Sequence, residues 1–249
     1  METKIITIAN EKGGIGKTTT ALCFADELQR RGYNVLLVDV DPQGNLSFIA
    51  DADTNTRPVI ADVFANRTQP GNAIQKTDTG FYIIPSDFQT AEYNKMRPDT
   101  LKRALQPVKE KYDYIVIDTP PTLSGMTLNA FYASDSCIIP TSANVLSIQG
   151  ITKIANTIKA INAKLIIDGI LLCKFSNHSI IHRQMKEQIQ RIAEAMQTRL
   201  FNTTIRTAIA VEEAQTMQTP LQAYNKTANV TNDYKRFADE YLSIFEVKK

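Results

Sequence analysis

The chain has 249 residues, 43% of them hydrophobic and 22% charged, and a net charge of +2. This balance belongs to a globular protein long enough for a large core, and the small net charge does not by itself point to a nucleic-acid partner. Membrane-spanning and disulfide-scaffold classes are excluded, because no apolar run approaches the ~20 residues of a span and Cys23, Cys137 and Cys173 are an odd, widely spaced set in apolar segments.

In chain order, Lys4-Ile5-Ile6-Thr7-Ile8-Ala9 reads as a buried strand that enters a glycine loop directly, which is not a signal peptide. Thr18 to Arg31 carries Leu22, Ala25 and Leu28 at helical spacing, with Gly32 placed to end the helix. Asn34 to Asp39 is a strand with an acidic end, and residues 51–80 are a polar, turn-rich insertion. Phe81 to Pro85, Tyr114 to Asp118, Ser136 to Pro140 and Lys164 to Cys173 repeat the apolar-strand form. A long helix is expected over residues 182–199, with Met185, Ile189, Ile192 and Met196 on one side. Phe201 to Ile205 is a late strand, and Tyr234, Phe237, Tyr241, Leu242 and Phe245 mark a C-terminal helix. Near-continuous apolar strands alternating with helices predict an α/β fold: one mostly parallel central sheet with helices on both faces, in a single domain over residues 1–249.

Ligands of such sheets sit at the carboxyl ends of the strands, and three of those ends carry chemistry. The first is the loop Lys12-Gly13-Gly14-Ile15-Gly16-Lys17-Thr18-Thr19. A common phosphate loop reads G-x-x-x-x-G-K-[ST]; here Gly16, Lys17 and Thr18 fit, Glu11 takes the first glycine position, and Lys12 is an added cation. Backbone N–H groups freed by Gly13, Gly14 and Gly16 suit phosphate oxygens, Lys17 suits the β- and γ-phosphates, and the Thr18 hydroxyl suits Mg²⁺. The plain alternative is a glycine turn with a helix cap, which leaves the lysine and threonine unexplained.

Asp39-Val40-Asp41-Pro42-Gln43-Gly44-Asn45 is the second end. Extended residues two apart face the same way, so Asp39 and Asp41 are both expected to point at the nucleotide, although the same residues also make good turns. The third is Asp118, an expected metal-side carboxylate acting directly or through water. Thr119 follows it where many ATPases have a water-activating glutamate, so Asp41 is the candidate to orient the attacking water, and hydrolysis is expected to be slow.

These motifs in this order closely resemble the ParA/Soj branch of the ParA/MinD (deviant Walker A) ATPases. The resemblance rests on Asn10 to Thr20, Val35 to Asn45, Tyr112 to Pro121, Asn129-Ala130 to Ala133-Ser134-Asp135-Ser136 with Pro140, and Ile205-Arg206 with Glu213-Ala214 and Tyr224. It implies a P-loop NTPase-type fold, ATP and Mg²⁺ as ligands, with Thr18, Asp39 and Asp118 on the metal side, and ATP held between two subunits of a homodimer. It further implies that Lys12 crosses to the partner's phosphates, Lys17 serves its own nucleotide and Asp41 acts in hydrolysis. The ATP dimer of the family binds DNA without sequence preference, and a ParB-like centromere-binding protein stimulates hydrolysis, so that plasmids, chromosomal origins or other cargo are moved over the nucleoid. A cytoplasmic, nucleoid-associated protein follows, without stable membrane association. The early position of the loop resembles the small members that have no N-terminal helix-turn-helix domain.

Between Lys174 and Arg206 there are six basic residues (Lys174, Arg183, Lys186, Arg191, Arg199, Arg206) against Glu187 and Glu194. Such a cluster suits phosphate backbones or a solvated helix face. Ala210 stands where many Soj-like proteins have arginine. His178 and His182 are four apart but lack a third ligand. A MinD-like membrane-cycling ATPase is the alternative reading; it needs an amphipathic membrane helix at the C-terminus, whereas Tyr234 to Phe245 looks like a packing helix followed only by Glu246 to Lys249. A reductase resembling the nitrogenase iron protein would need interface cysteines, and Lys12 argues against a metabolic ligase.

Overall fold

The computed structural model describes residues 2–245. In chain order the strands are β1 (Lys4–Ile8), β2 (Val35–Asp39), β3 (Gln75–Lys76), β4 (Tyr82–Ile84), β5 (Tyr114–Asp118), β6 (Ser136–Thr141), β7 (Ile166–Leu172) and β8 (Leu200–Thr204). They form one sheet in the order β3-β4-β2-β5-β1-β6-β7-β8. Every pairing is parallel except β3 with β4. The antiparallel edge belongs to the turn-rich segment, which otherwise folds into short helices.

The helices are α1 (Lys17–Arg30), α2 (Asn45–Ile49), α3 (Ile60–Phe64), α4 (Pro70–Ala73), α5 (Thr100–Leu105), α6 (Gly125–Ala133), α7 (Val145–Ile161), α8 (Ile180–Ala195), α9 (Ile209–Thr216), α10 (Leu221–Tyr224) and α11 (Asn229–Phe245). The expected helix at 182–199 begins two residues earlier and ends at Ala195, because Gln197 adopts a left-handed backbone (φ 56°) and turns the chain into β8. Helix α7 is long and was not anticipated from the sequence; its buried stripe is Gly150, Ile151, Ile154, Ala155 and Ile158.

Alternation along the central strands explains why their sequences are apolar throughout. Ile6, Ile8, Leu37 and Val116 face α1 and α11, whereas Ile5, Leu36, Val38, Ile115 and Ile117 face α3, α5 and α6. Both faces are covered, so both parities must be apolar. The loop helix α1 is held from outside by α11. Phe24 packs against Phe237 and Tyr241 at ring distances of 5.3 and 4.8 Å, and Arg31 bridges Glu27 (2.5 Å) to Asp239 (2.6 Å).

At the amino ends of the strands Asp168, 2% exposed, accepts hydrogen bonds from Ser136 Oγ (2.6 Å) and Tyr241 OH (2.6 Å) and pairs with Lys4 Nζ at 3.1 Å. This network ties α11 to β1, β6 and β7. The apolar face of α11 is therefore spent on the core. Among the described residues no helix is long and apolar enough to cross a membrane; Glu246 to Lys249 lie outside them. All three cysteines are free and buried, and burial pushes the Cys173 thiol up to about 12 and raises Cys23 and Cys137 well above the ordinary thiol range, so none is a ready nucleophile.

Candidate nucleotide site

Strand register brings the three motifs together. Ile8, the last residue of β1, lies opposite Asp118 of β5, and Asp118 lies opposite Asp39 of β2. The phosphate loop thus leaves the sheet beside two carboxylates, each roughly 5 Å from the next strand.

The loop is pinned at its entrance. Asn10 Nδ2 donates to the carbonyl of Pro140 (2.7 Å), its Oδ1 accepts from the Lys12 N–H (3.0 Å), and Glu11 pairs with Lys153 of α7 (2.6 Å). Gly14 and Gly16 adopt φ of 70° and 99°, and a Cβ on Gly16 would meet Cys173 at 3.9 Å, so backbone conformation rather than space demands glycine there. Helix α1 starts at Lys17 with no acidic residue in its first turn and no side-chain cap on its orphan N–H groups, as an anion site requires.

Lys17 is 7% exposed, and its ammonium donates to the Lys12 carbonyl at 3.2 Å. Burial lowers its pKa, and the charges of Asp118 and Asp41 partly offset that. Lys12, in contrast, has an exposed side chain at the mouth of the loop.

Asp118 is fully buried, and neither carboxylate oxygen has a hydrogen-bond partner among the described residues. Burial first, and then the neighbouring Asp39 charge, push its pKa well above the usual carboxylate range. The Thr18 hydroxyl and the Lys17 ammonium pull it back, Thr18 being near without reaching hydrogen-bond geometry. A buried, unpartnered carboxylate is costly, and a divalent cation is the group that repays it. Mg²⁺ keeps waters and takes one or two carboxylates plus substrate phosphates, so a single buried carboxylate beside a hydroxyl and a phosphate loop is a sufficient protein contribution. The residues therefore fit a Mg²⁺ site made by Thr18 and Asp118, where the ion would neutralise phosphate charge.

Asp39 and Asp41 do not share an outlook. Strand β2 ends at Asp39, so alternation does not carry past it. Asp39 Oδ1 accepts from the Asp41 N–H (3.0 Å), and its Oδ2 accepts from the N–H (2.9 Å) and hydroxyl (2.7 Å) of Ser47. Its carboxylate braces the turn, and burial lifts its pKa to about 6. Asp41 does line the cleft, with Oδ1 accepting from the Gln43 N–H at 3.0 Å. Thr119 donates to the Ile8 carbonyl (2.9 Å) and is fully buried, so its hydroxyl is committed to β1, and the carboxylates lining the cleft are Asp41 and Glu212 of α9.

The cleft has a volume of about 550 Å³ and runs from Gly13 through Thr19 to Lys174, Arg206 and α9. Gln215 of α9 donates to the Thr19 hydroxyl at 2.9 Å. Lys174 and Arg206, expected in a DNA-facing cluster, line this cleft, and Lys174 holds a left-handed backbone (φ 54°). The six basic residues do not form one face. Arg183, Lys186 and Arg191 are on α8, while Arg199 packs over Phe245 (5.0 Å) at the other end of β8. His182 Nδ1 accepts from the Ser176 N–H (3.0 Å), fixing the entry to α8. The cleft wall beyond β7 and β8 was missed from the sequence; the available signal was a basic residue, Lys174 or Arg206, two positions after each strand.

A parallel sheet with a glycine loop between β1 and α1, Lys-Thr at the helix start and a buried aspartate on the neighbouring strand defines a P-loop nucleotide hydrolase. Residues 3–169 match the family described as AAA domain. Sporulation initiation inhibitor protein Soj of Bacillus subtilis is 32% identical over 95% of this chain and 97% of its own length. Chromosome partitioning protein ParA of Myxococcus xanthus is 30% identical over 96% of this chain and 88% of its own. The septum site-determining protein MinD of Pyrococcus horikoshii, solved with Mg-ADP, superposes with a TM-score of 0.83 at 25% identity, covering 99% of both chains. The chain belongs to the ParA/MinD-type P-loop ATPases. It is an ATPase that uses ATP and Mg²⁺.

Proposed function

We propose that the protein is a partition ATPase of the ParA/Soj kind: an ATP-dependent homodimer that binds nonspecific DNA over the nucleoid in the cytoplasm and segregates or positions a replicon with a ParB-like centromere-binding partner. The observation that carries the reading is Lys12. Its side chain is exposed, at the same edge of the sheet as Val145, Leu146, Ile180, Ile181 and Ile209, all 64–73% exposed. These apolar residues open α7, α8 and α9, the helices that follow the carboxyl ends of β6, β7 and β8. An apolar rim around a loop cation suits a second copy whose phosphates Lys12 completes while water is excluded.

In this reading Lys12 and Lys17 neutralise phosphate charge, and Asp41 orients the attacking water. Thr18 and Asp118 take Mg²⁺, and Asp39 adds negative charge behind them. Because Asp41 sits in a turn and no glutamate follows Asp118, hydrolysis is slow. DNA contact falls to Arg183, Lys186 and Arg191, which share helix α8, whereas Lys174 and Arg206 line the nucleotide cleft and Arg199 lies at the other end of β8.

The test is size-exclusion chromatography of an Asp41→Ala protein with Mg-ATP. A dimer that disappears on adding Lys12→Ala, with nucleotide affinity retained, supports the sandwich. A protein that stays monomeric at saturating ATP, or that fails to retard nonspecific DNA at low salt, overturns the partition reading. ATP-dependent sedimentation with liposomes would instead favour membrane cycling.

A further inference from the structure

The nucleotide cleft has a wall that phosphate chemistry does not account for. The carboxylates Asp118 and Asp41 mark the side of the cleft where the terminal phosphate reacts. The opposite side is formed by residues just past β7 and β8: Lys174, Ile205, Arg206 and Thr207. Cys173, after β7, lies beneath Gly16 of the loop, and Arg206 follows the next strand, roughly 5 Å further along the sheet. A triphosphate seated on the loop amides with its reacting end at Asp118 directs its nucleoside end to this wall.

Arg206 is held there in an unusual way. Its backbone N–H (3.1 Å) and Nε (2.7 Å) donate to Asp233 Oδ2, and its Nη2 donates to Oδ1 at 2.9 Å. Asp233 is 1% exposed, and Arg236 from the next turn of α11 also bonds it. This bidentate fork fixes the guanidinium plane and consumes one of its edges, and with two arginines on one carboxylate the local charge stays positive. The Arg206 side chain nevertheless remains 44% exposed. With Nε and Nη2 engaged, the fork leaves Nη1 and the two flat faces, and a fixed, weakly hydrated guanidinium plane is a good stacking surface for a heterocyclic base.

We propose that Arg206 is the base platform of the ATP site: its guanidinium face stacks on the purine ring, and Asp233 acts as the positioning residue that holds it in plane. Stacking reads ring area and not the hydrogen-bonding edge. Arg206 therefore favours purine over pyrimidine triphosphates and leaves the choice between ATP and GTP to other groups. The inference rests on the nucleotide cleft and on no part of the partition reading.

Calorimetric titration of the full chain with Mg-ATP, Mg-CTP and Mg-tripolyphosphate tests it. Arg206→Lys keeps a cation beside Asp233 but removes the flat face. It is expected to weaken ATP about tenfold, to narrow the preference for ATP over CTP, and to leave tripolyphosphate binding unchanged. Arg206→Ala should do the same if it folds, and Asp233→Asn should weaken ATP less, again sparing tripolyphosphate. Thermal melts confirm that each variant is folded. Equal losses for ATP and tripolyphosphate would make Arg206 a phosphate or scaffold residue, and unchanged ATP affinity in Arg206→Lys would remove it from the site; either result overturns the proposal. No dimer or DNA is needed, so failure of the partition reading leaves the measurement intact.

Discussion

Among the described residues Asp118 is the carboxylate whose two oxygens are both buried without a hydrogen bond, a costly state. Natural sites keep such groups for function at the expense of stability. Asp118→Asn is therefore expected to lower Mg-ATP turnover by about a hundredfold or more, the scale of losing one electrostatic stabiliser of a transferring phosphoryl group. The melting temperature of the nucleotide-free protein should not fall. A variant that melts markedly lower would show that Asp118 is structural. Asp39 gives the matching pH prediction. Its pKa rises from the ordinary carboxylate range to about 6 on folding, so the folded state binds this proton more tightly than the unfolded chain. The stability from that protonation is fully present below the unfolded value near pH 4 and is lost as pH rises through about 6. Two pKa units correspond to a loss on the order of 2–3 kcal/mol. Asp118 shifts in the same direction, so the parent must be compared with Asp39→Asn. In urea unfolding between pH 4.5 and 7.5 the parent should lose stability relative to the variant, and parallel curves would disprove the shift. Loss of that proton adds a negative charge behind the Thr18–Asp118 site, so Mg²⁺ binding is expected to tighten as pH rises through about 6.

At the scale of elements, α11 carries the loop helix on its aromatic face, and the Asp168 network fixes its end. Tyr241→Phe removes one buried hydrogen bond of 2.6 Å while Ser136 and Lys4 still partner Asp168. The expected cost is about 1–2 kcal/mol, measured by denaturant titration, with faster amide exchange in α11 than in α7. The elements themselves were largely legible in the sequence. β1, β2, β5 and β6 announce themselves as apolar runs because helices cover both sheet faces, and Gly32 stops α1 with φ 88° as its position suggests. Helix α7 escaped notice because its exposed Val145 and Leu146 blur the polar face that periodicity relies on. Gly169 shows a second kind of information that a sequence hides. A Cβ there would approach Phe201 to 2.6 Å, a requirement set by a residue on the neighbouring strand. The site divides in the same way. The phosphate loop is local in the chain and could be read. Asp39 as a turn brace needed Ser47, eight residues on, and the far cleft wall needed β7 and β8 to be neighbours.

For the whole molecule the open parallel sheet decides where an interface can lie. Helices following β6, β7 and β8 must start at the carboxyl edge, so their first turns crowd beside the phosphate loop. Those first turns expose Leu146 at 66% and Ile181 at 65%, large apolar side chains that contribute nothing to the fold of one copy. A replacement by glutamate is accordingly expected to leave the melting temperature within about 1 °C or so, in line with surface substitutions worth under ~0.5 kcal/mol. If the edge is the contact between copies, two like charges brought face to face across a desolvated interface oppose it by several kcal/mol. An Asp41→Ala protein carrying Ile181→Glu should then bind Mg-ATP as tightly as its parent at protein concentrations low enough for both to be monomeric, and elute as a monomer at concentrations where Asp41→Ala alone is dimeric. Leu146→Glu should act in the same direction. If both variants still dimerise with ATP, the contact lies elsewhere and Lys12 serves only its own subunit. If they lose ATP binding as well, the edge supports the cleft and not a partner. Between those outcomes, separate loss of the dimer would tie the exposed lysine and the exposed hydrophobic rim to one event, closure of two subunits over the nucleotide.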